Sequence, residues 1–189
     1  MDPIAYGSPP RAAFITNVGL VTSNGPHGHN IMAAEWTYQL SYSPTLLAVG
    51  IGPKKATHDN IVAGKCFGVS IAANNQNVLC SLAGNGSGKE YDKIGFLKSL
   101  GFGFTKAANF DLLLPEGAVI QAECKLVATH VTGDHVLFIG EAVAVRHDET
   151  AVPITYHLGK YWNLGQEIPK PSDQQREEWK KAREGFRKK

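Results

Sequence analysis

The chain lacks every signature that would announce its chemistry directly. Its three cysteines, Cys66, Cys80 and Cys124, lie far apart with no C-x-x-C spacing, which argues against a zinc site or a disulfide framework. Each sits among apolar residues, so buried free thiols and a reducing compartment are expected. No apolar run approaches membrane-spanning length. The opening Met1-Asp2-Pro3 leads into neither a basic nor an apolar leader segment, so a cytoplasmic protein is expected. Charge of one sign is missing too: Lys and Arg number 19 against 17 Asp and Glu, too even a balance to recruit nucleic acid. The patterns G-x-S-x-G and H-E-x-x-H are absent. Glu116, Glu123 and Glu141 show no pairing logic. The glycine-rich stretch Gly84-Asn85-Gly86-Ser87-Gly88-Lys89 fails as a P-loop, because Ala83 stands where glycine is required and Glu90 where Ser or Thr is. It reads as a flexible surface loop rather than one that covers a ligand. His27-Gly28-His29 has no cysteine or carboxylate beside it to complete a metal set, and no metal is expected.

What the chain does have is β structure in short pieces. Residues 14–23 are a β-rich run ended by Asn24-Gly25-Pro26, and residues 30–41 form another around Trp36 and Tyr38, broken at Ser43-Pro44. Residues 46–51 and 66–72 read as strands, and residues 75–82 as a short helix. Residues 118–130 and 136–146 form a hairpin about Thr132-Gly133-Asp134. Several β runs with short helices between them, and no βαβ rhythm, favour a barrel over a doubly wound sheet. Pro169-Lys170-Pro171 reads as a linker that divides a domain over residues 1–168 from a charged helix over 169–189. That helix opens on the capping box Ser172-Asp173-Gln174-Gln175. Trp179, Ala182 and Phe186 share one side of it, a stripe for docking on the domain or a partner subunit, unless the tail is simply solvated.

The most informative stretch runs from Leu46 to Ile61. A buried strand ends at Gly52-Pro53, a basic turn Lys54-Lys55 follows, and a helix begins at Thr57 as N-cap with Asp59 at its positive end. Free N–H groups, a hydroxyl and two lysines converge there, the chemistry of an anion site, although an ordinary capped helix beside surface lysines has the same look. His135 sits where the hairpin turn meets a strand, positioned to reach a cleft or to fix the hairpin. With no acid–base triad in sight, any hard chemistry is expected to come from a cofactor.

Several pieces together resemble one family. They are Val21-Thr22-Ser23 before a Gly-rich turn and Asn30, Ser41-x-Ser43-Pro44, Lys55-Ala56-Thr57-His58-Asp59-Asn60-Ile61, Phe67-Gly68-Val69-Ser70-Ile71, and Gly133-Asp134-His135 with Phe138-Ile139-Gly140-Glu141. In order and spacing, over roughly residues 11–165, the chain is similar to the flavin reductase-like FMN-binding split-barrel proteins, which include flavin reductases, flavoredoxins and ferric-reductase relatives. The resemblance implies a mainly β, six-stranded Greek-key split barrel with short helices, here with an added C-terminal helix. It implies a homodimer with FMN near the subunit interface, and NADH or NADPH as co-substrate giving hydride to flavin N5 before electrons pass to a downstream acceptor. Thr22, Ser23, Asn30, Ile31, Met32, Ala33 and Ala34 would line the isoalloxazine, with Ser41 near. Lys55, Thr57, His58 and Asn60 would hold the phosphate. His135 would stand near the nicotinamide or flavin edge as the catalytic residue. Trp36-Thr37-Tyr38 is bulky for a ring-lining segment, so it narrows the substrate space or packs at the dimer interface. The rival readings are a flavoredoxin-like FMN electron carrier that does not oxidise NAD(P)H, and a split-barrel binding module without flavin. The Lys55–Asn60 constellation argues against the second.

Overall fold

A computed structural model describes residues 4–5 and 7–187. After α1 (Pro9–Ala12) and β1 (Thr16–Asn17) come β2 (Gly19–Ser23), β3 (Asn30–Ala34), β4 (Thr37–Tyr42) and β5 (Thr45–Ile51). Helix α2 (Ala56–Gly64) leads to β6 (Cys66–Ile71), then α3 (Asn77–Gly84), α4 (Lys93–Ser99), β7 (Phe104–Lys106) and β8 (Leu113–Pro115). The hairpin β9 (Ile120–Thr132) and β10 (His135–His147) follows, then β11 (Thr155–His157), β12 (Lys160–Trp162) and α5 (Asp173–Glu184). The protein is mainly β with short helices. Among the described residues no helix is long and apolar enough to cross a membrane.

The main sheet has seven strands in the order β3-β2-β6-β9-β10-β5-β4, every neighbouring pair antiparallel. A six-stranded Greek-key split barrel was expected; the described sheet has seven strands and is not closed. The run 30–41 is two strands, not one, because the chain breaks at Glu35-Trp36 and β4 pairs with β5 at the far edge. Edges β3 and β4 are thus joined by two residues, and three Cα steps span at most about 11 Å. The sheet must curl until its edges meet at that link, yet no ladder closes it. The seam is held at Thr37, whose Oγ1 donates to Ala34 O (3.2 Å) and whose carbonyl accepts from Asn17 Nδ2 (3.1 Å). Across it, Gly50 N donates to Trp36 O (2.9 Å).

Period-two alternation then sorts side chains between two cores. Val21, Val49, Phe67, Ala122 and Phe138 fill the concave side. Leu20 and Ile31 point the other way and are covered by Leu79 and Ala83 of α3 and by Ile94 and Leu97 of α4. That is why every residue of β2 is buried. Helix α4 and strands β7 and β8 occupy a stretch whose pattern is too short to read from sequence. The three cysteines are free and buried, and burial pushes the Cys80 and Cys124 thiols up to about 12.

Helix α5 begins on the capping box, with Gln175 N donating to Ser172 Oγ (3.2 Å) and Ser172 N to Gln175 Oε1 (2.9 Å). No residue of α5 is buried, and Trp179 and Phe186 stand exposed. The docking of its stripe on the chain's own domain is therefore not observed: local caps and the pairs Arg176–Asp173 and Lys180–Glu177 support it instead.

Gly140 on β10 faces the tightest part of the concave core, where an added Cβ would lie 2.6 Å from Phe67 Cζ and 2.8 Å from Cys124 Cβ. Gly140→Ala should destabilise the fold by about 1–3 kcal/mol through overpacking. Urea unfolding would show this as a lower midpoint at unchanged slope.

Candidate functional site

Helix α2 sets the site. It begins at Ala56 with Lys55 at the N-cap, two residues before the expected cap Thr57, and no side chain caps it. Thr57 is not the cap, because its hydroxyl is claimed from the sheet: Asn30 Nδ2 donates to Thr57 Oγ1 (2.8 Å), both residues buried. Among the described residues the N–H groups of Ala56 and Thr57 have no acceptor, whereas His58 N donates to Lys55 O (3.1 Å).

That turn opens on a cleft of about 650 Å³, within the roughly 300–1,000 Å³ of small-molecule sites. Met32, Ala33 and Ala34 of β3 form one wall, and Lys54, Lys55, Ala56 and Thr57 form its basic end. Trp36, Gly50 and His135 border that end too, with Lys55 Cγ 3.9 Å and His135 Nε2 4.0 Å from where a Cβ on Gly52 would lie. His135 meets Trp36 edge-on with ring centroids 4.4 Å apart, and its Nδ1 is 2.7 Å from Asp134 Oδ1. Asp134 is thereby held below the usual carboxylate range by the histidine's hydrogen bond. The last wall is the glycine-rich segment, with Gly84, Gly86, Ser87 and Gly88. Instead of a detached surface loop it is packed into place, since a Cβ at Gly88 would run into the Asn30 side chain. Lys93 closes this side, buried and donating from Nζ to Ala83 O (2.5 Å).

Of the thirteen residues read from sequence, the structure brings Asn30, Met32, Ala33, Ala34, Lys55, Thr57 and His135 to the cleft. The other six lie elsewhere. Ile31 alternates into the outer core. Thr22 and Ser23 are buried in β2, one strand inward. Ser41 sits at the far end of β4 opposite Leu46. His58 points away from the cleft, its ring edge-on to Phe138. Asn60 is fully buried as a brace, donating to Gly28 O (2.9 Å) and Ser23 Oγ (3.2 Å) and accepting from His27 N (3.0 Å). The glycine wall and Lys93 were not read as site residues. One signal for Lys93 was present: a lysine in the first turn of a helix stands at the wrong end of the dipole, so some other interaction must keep it there.

Behind the cleft, Asp59 gathers three partners: Lys89 Nζ (2.7 Å), His27 Nε2 (3.0 Å) and His58 Nδ1 (3.1 Å). These bonds, that of Lys89 foremost, hold its carboxyl far below the usual range against a smaller opposing effect of burial. Among the described residues no cluster of three or more His, Cys, Asp or Glu could hold a metal ion.

Residues 11–165 match the model of the flavin reductase like domain. The chain belongs to the flavin reductase-like family. An NADH-dependent flavin reductase of Rhodococcus sp. is 27% identical over 157 residues, 80% of this chain and 81% of that protein. An uncharacterized protein of Archaeoglobus fulgidus is 33% identical over 130 residues, 67% of this chain and 70% of that one. Among solved structures, the FMN-binding protein from Thermus thermophilus with bound p-hydroxybenzaldehyde superposes with a TM-score of 0.77 at 26% identity, covering 90% of this chain and 99% of that one. The flavin reductase-like match includes every wall of the cleft and leaves α5 outside.

Because the folded pKa of Asp59 lies below its unfolded value of about 3.9, its contribution to stability is complete above about pH 5 and lost as pH falls. Denaturation midpoints of the wild type should drop between about pH 5 and pH 2, and Asp59→Asn should flatten that drop.

Proposed function

We propose that the cleft binds FMN, with its phosphate at the first turn of α2 and its ring along β3, and that the protein is an NAD(P)H-dependent flavin reductase. One observation carries the reading: a basic helix N-terminus and a wall of small residues border the same cleft, joined by the Asn30–Thr57 hydrogen bond. The residues fit the group. Lys54, Lys55 and the N–H groups of Ala56 and Thr57 suit a phosphate. Among the described residues Asn30 Oδ1 has no hydrogen-bond partner, and it is buried at the wall against Gly88. The NADH-dependent Rhodococcus relative supports NADH as the first co-substrate to test.

A bound flavin supplies the hydride acceptance and electron release that no side chain here can. The chain's own residues bind and orient. Met32, Ala33 and Ala34 present backbone and small side chains to the ring face and exclude water from it. His135, its Nδ1 engaged by Asp134, keeps Nε2 on the Gly52 side of the cleft, at the edge where a nicotinamide would approach. A second copy of the chain covers the outer face of β4, where Tyr38, Leu40 and Tyr42 stand exposed. Sedimentation should therefore give the mass of two chains, and a monomer at all concentrations would remove the dimer from this reading.

Purified protein titrated with FMN should show flavin absorption that bleaches on anaerobic addition of NADH or NADPH. Bleaching by dithionite alone would mean an electron carrier, and failure to bind FMN would sink the assignment. Lys55→Ala should weaken FMN about tenfold while leaving riboflavin, which has no phosphate, nearly unaffected.

A further inference from the structure

The glycine-rich wall is packed against the cleft but scarcely bonded to it. Residues 85–91 run from the end of α3 to Asp92, the N-cap of α4. Their N–H groups find acceptors in the segment itself or in the last turn of α3. Asn85 N donates to Leu82 O (3.2 Å), Gly86 N to Asn85 Oδ1 (2.9 Å) and Lys89 N to Ser87 Oγ (3.2 Å). Glu90 N and Tyr91 N both donate to Ser87 O (3.0 Å). At the near end Lys93 Nζ ties Ala83 O (2.5 Å) and Gly86 O (3.4 Å) to the start of α4. Gly88 lies against the Asn30 side chain, yet Asn30 Oδ1 accepts no hydrogen bond there. Beyond these, among the described residues, one polar bond alone runs from the connector to the rest of the fold: Lys89 Nζ to Asp59 Oδ2 of α2 (2.7 Å).

We propose that the Lys89–Asp59 ion pair is a latch, and that the glycine-rich connector swings on its release to let the flavin enter and leave the cleft. The inference rests on the flavin reading and adds a gate to it. Gly88 borders two spaces at once, the cleft and a second cavity of about 570 Å³ beside it that His27, His29 and Lys98 help to line. With no side chain at Gly88, only backbone stands between them, and moving that backbone joins the two. The other walls are fixed. Strand β3 is laddered to β2, and α2 is braced by Asn30 and by Asn60. The connector is built to move instead, for Gly86 already sits at φ +68°, a conformation that glycine adopts without strain.

The latch has a fixed half and a moving half. Asp59 is held from α2's own side by His27 Nε2 (3.0 Å) and His58 Nδ1 (3.1 Å), so it stays in place when Lys89 departs. Its carboxyl remains ionised, with Lys89 the largest of the influences that hold it far below the usual range. Both side chains of the pair are about one-third exposed. An ion pair so placed is screened by salt and costs little to open, as a gate that must open repeatedly requires. Asp59 also stands within a turn of Ala56 and Thr57. Closing the latch therefore draws the wall toward the end of the cleft that takes the phosphate.

The test is stopped-flow binding and release of FMN and of riboflavin, with amide hydrogen exchange of the ligand-free protein beside it. Lys89→Met should raise association and dissociation rates alike by about fivefold, for both flavins, and leave each Kd within about twofold. In the ligand-free protein it should speed exchange of the 85–91 amides while leaving those of α2 and β3 unchanged. Lys89→Arg, which keeps the pair, should restore the wild-type rates. Raising salt from about 0.05 to about 0.5 M should speed riboflavin passage in the wild type but not in Lys89→Met. Unchanged flavin rates in Lys89→Met, or unchanged exchange of the connector, would overturn the proposal. So would a faster FMN dissociation alone, the mark of a ligand contact rather than a gate. Failure of the wild type to bind either flavin would overturn the flavin reading itself, and the gate with it.

Discussion

The site stands on one buried contact, the hydrogen bond from Asn30 to Thr57. Strand β3 is an edge strand with a single ladder neighbour, β2, and α2 starts without a side-chain cap. Neither element alone fixes where the basic turn faces. Asn30 couples them by donating into the first turn of the helix, and three residues on Asn60 repeats the coupling toward the 23–28 loop. Buried amides of this kind are costly to leave unpaired, so the two elements keep one relative position. The lining wall and the basic end are then a single rigid object.

Charge is sorted around that object with the same economy. Each nearby carboxylate is engaged before it can face the cleft. Glu35 meets Arg11, and Asp59 meets Lys89, His27 and His58 behind α2. Glu123 accepts from the backbone of Ala108 and Asn109. What is left at the α2 end is cationic and partly desolvated, where electrostatic attraction for an anion is strongest.

Features that depend on neighbours in sequence were legible in the sequence. The hairpin about Gly133-Asp134 and the capping box at Ser172 formed where turn and cap chemistry put them. The basic turn that leads into α2 was also legible. Its detail was not, because Thr57's hydroxyl answers to Asn30, 27 residues away, and no local rule weighs such a competitor. The break at Glu35-Trp36 escaped for a similar reason. Apolar character continues through it, and only the pairing of β4 with β5 reveals that the strand has changed edges. The glycine segment was judged by motif, which it fails, rather than by packing, which makes it a wall. Ile31 marks the limit of a contiguous reading: it alone of the five β3 residues is buried in the outer core, while the other four line the cleft.

The three thiols acquire a meaning from where they lie. Peroxide attacks thiolate, not thiol. At neutral pH a group with a pKa near 12 is ionised about once in 10⁵ molecules, and Cys80 and Cys124 have almost no surface to offer an oxidant besides. A protein proposed to pass electrons in the presence of air works beside the peroxide that stray reduction of dioxygen makes. By placing Cys80 and Cys124 inside the two cores, this chain keeps those thiols out of reach for as long as it stays folded.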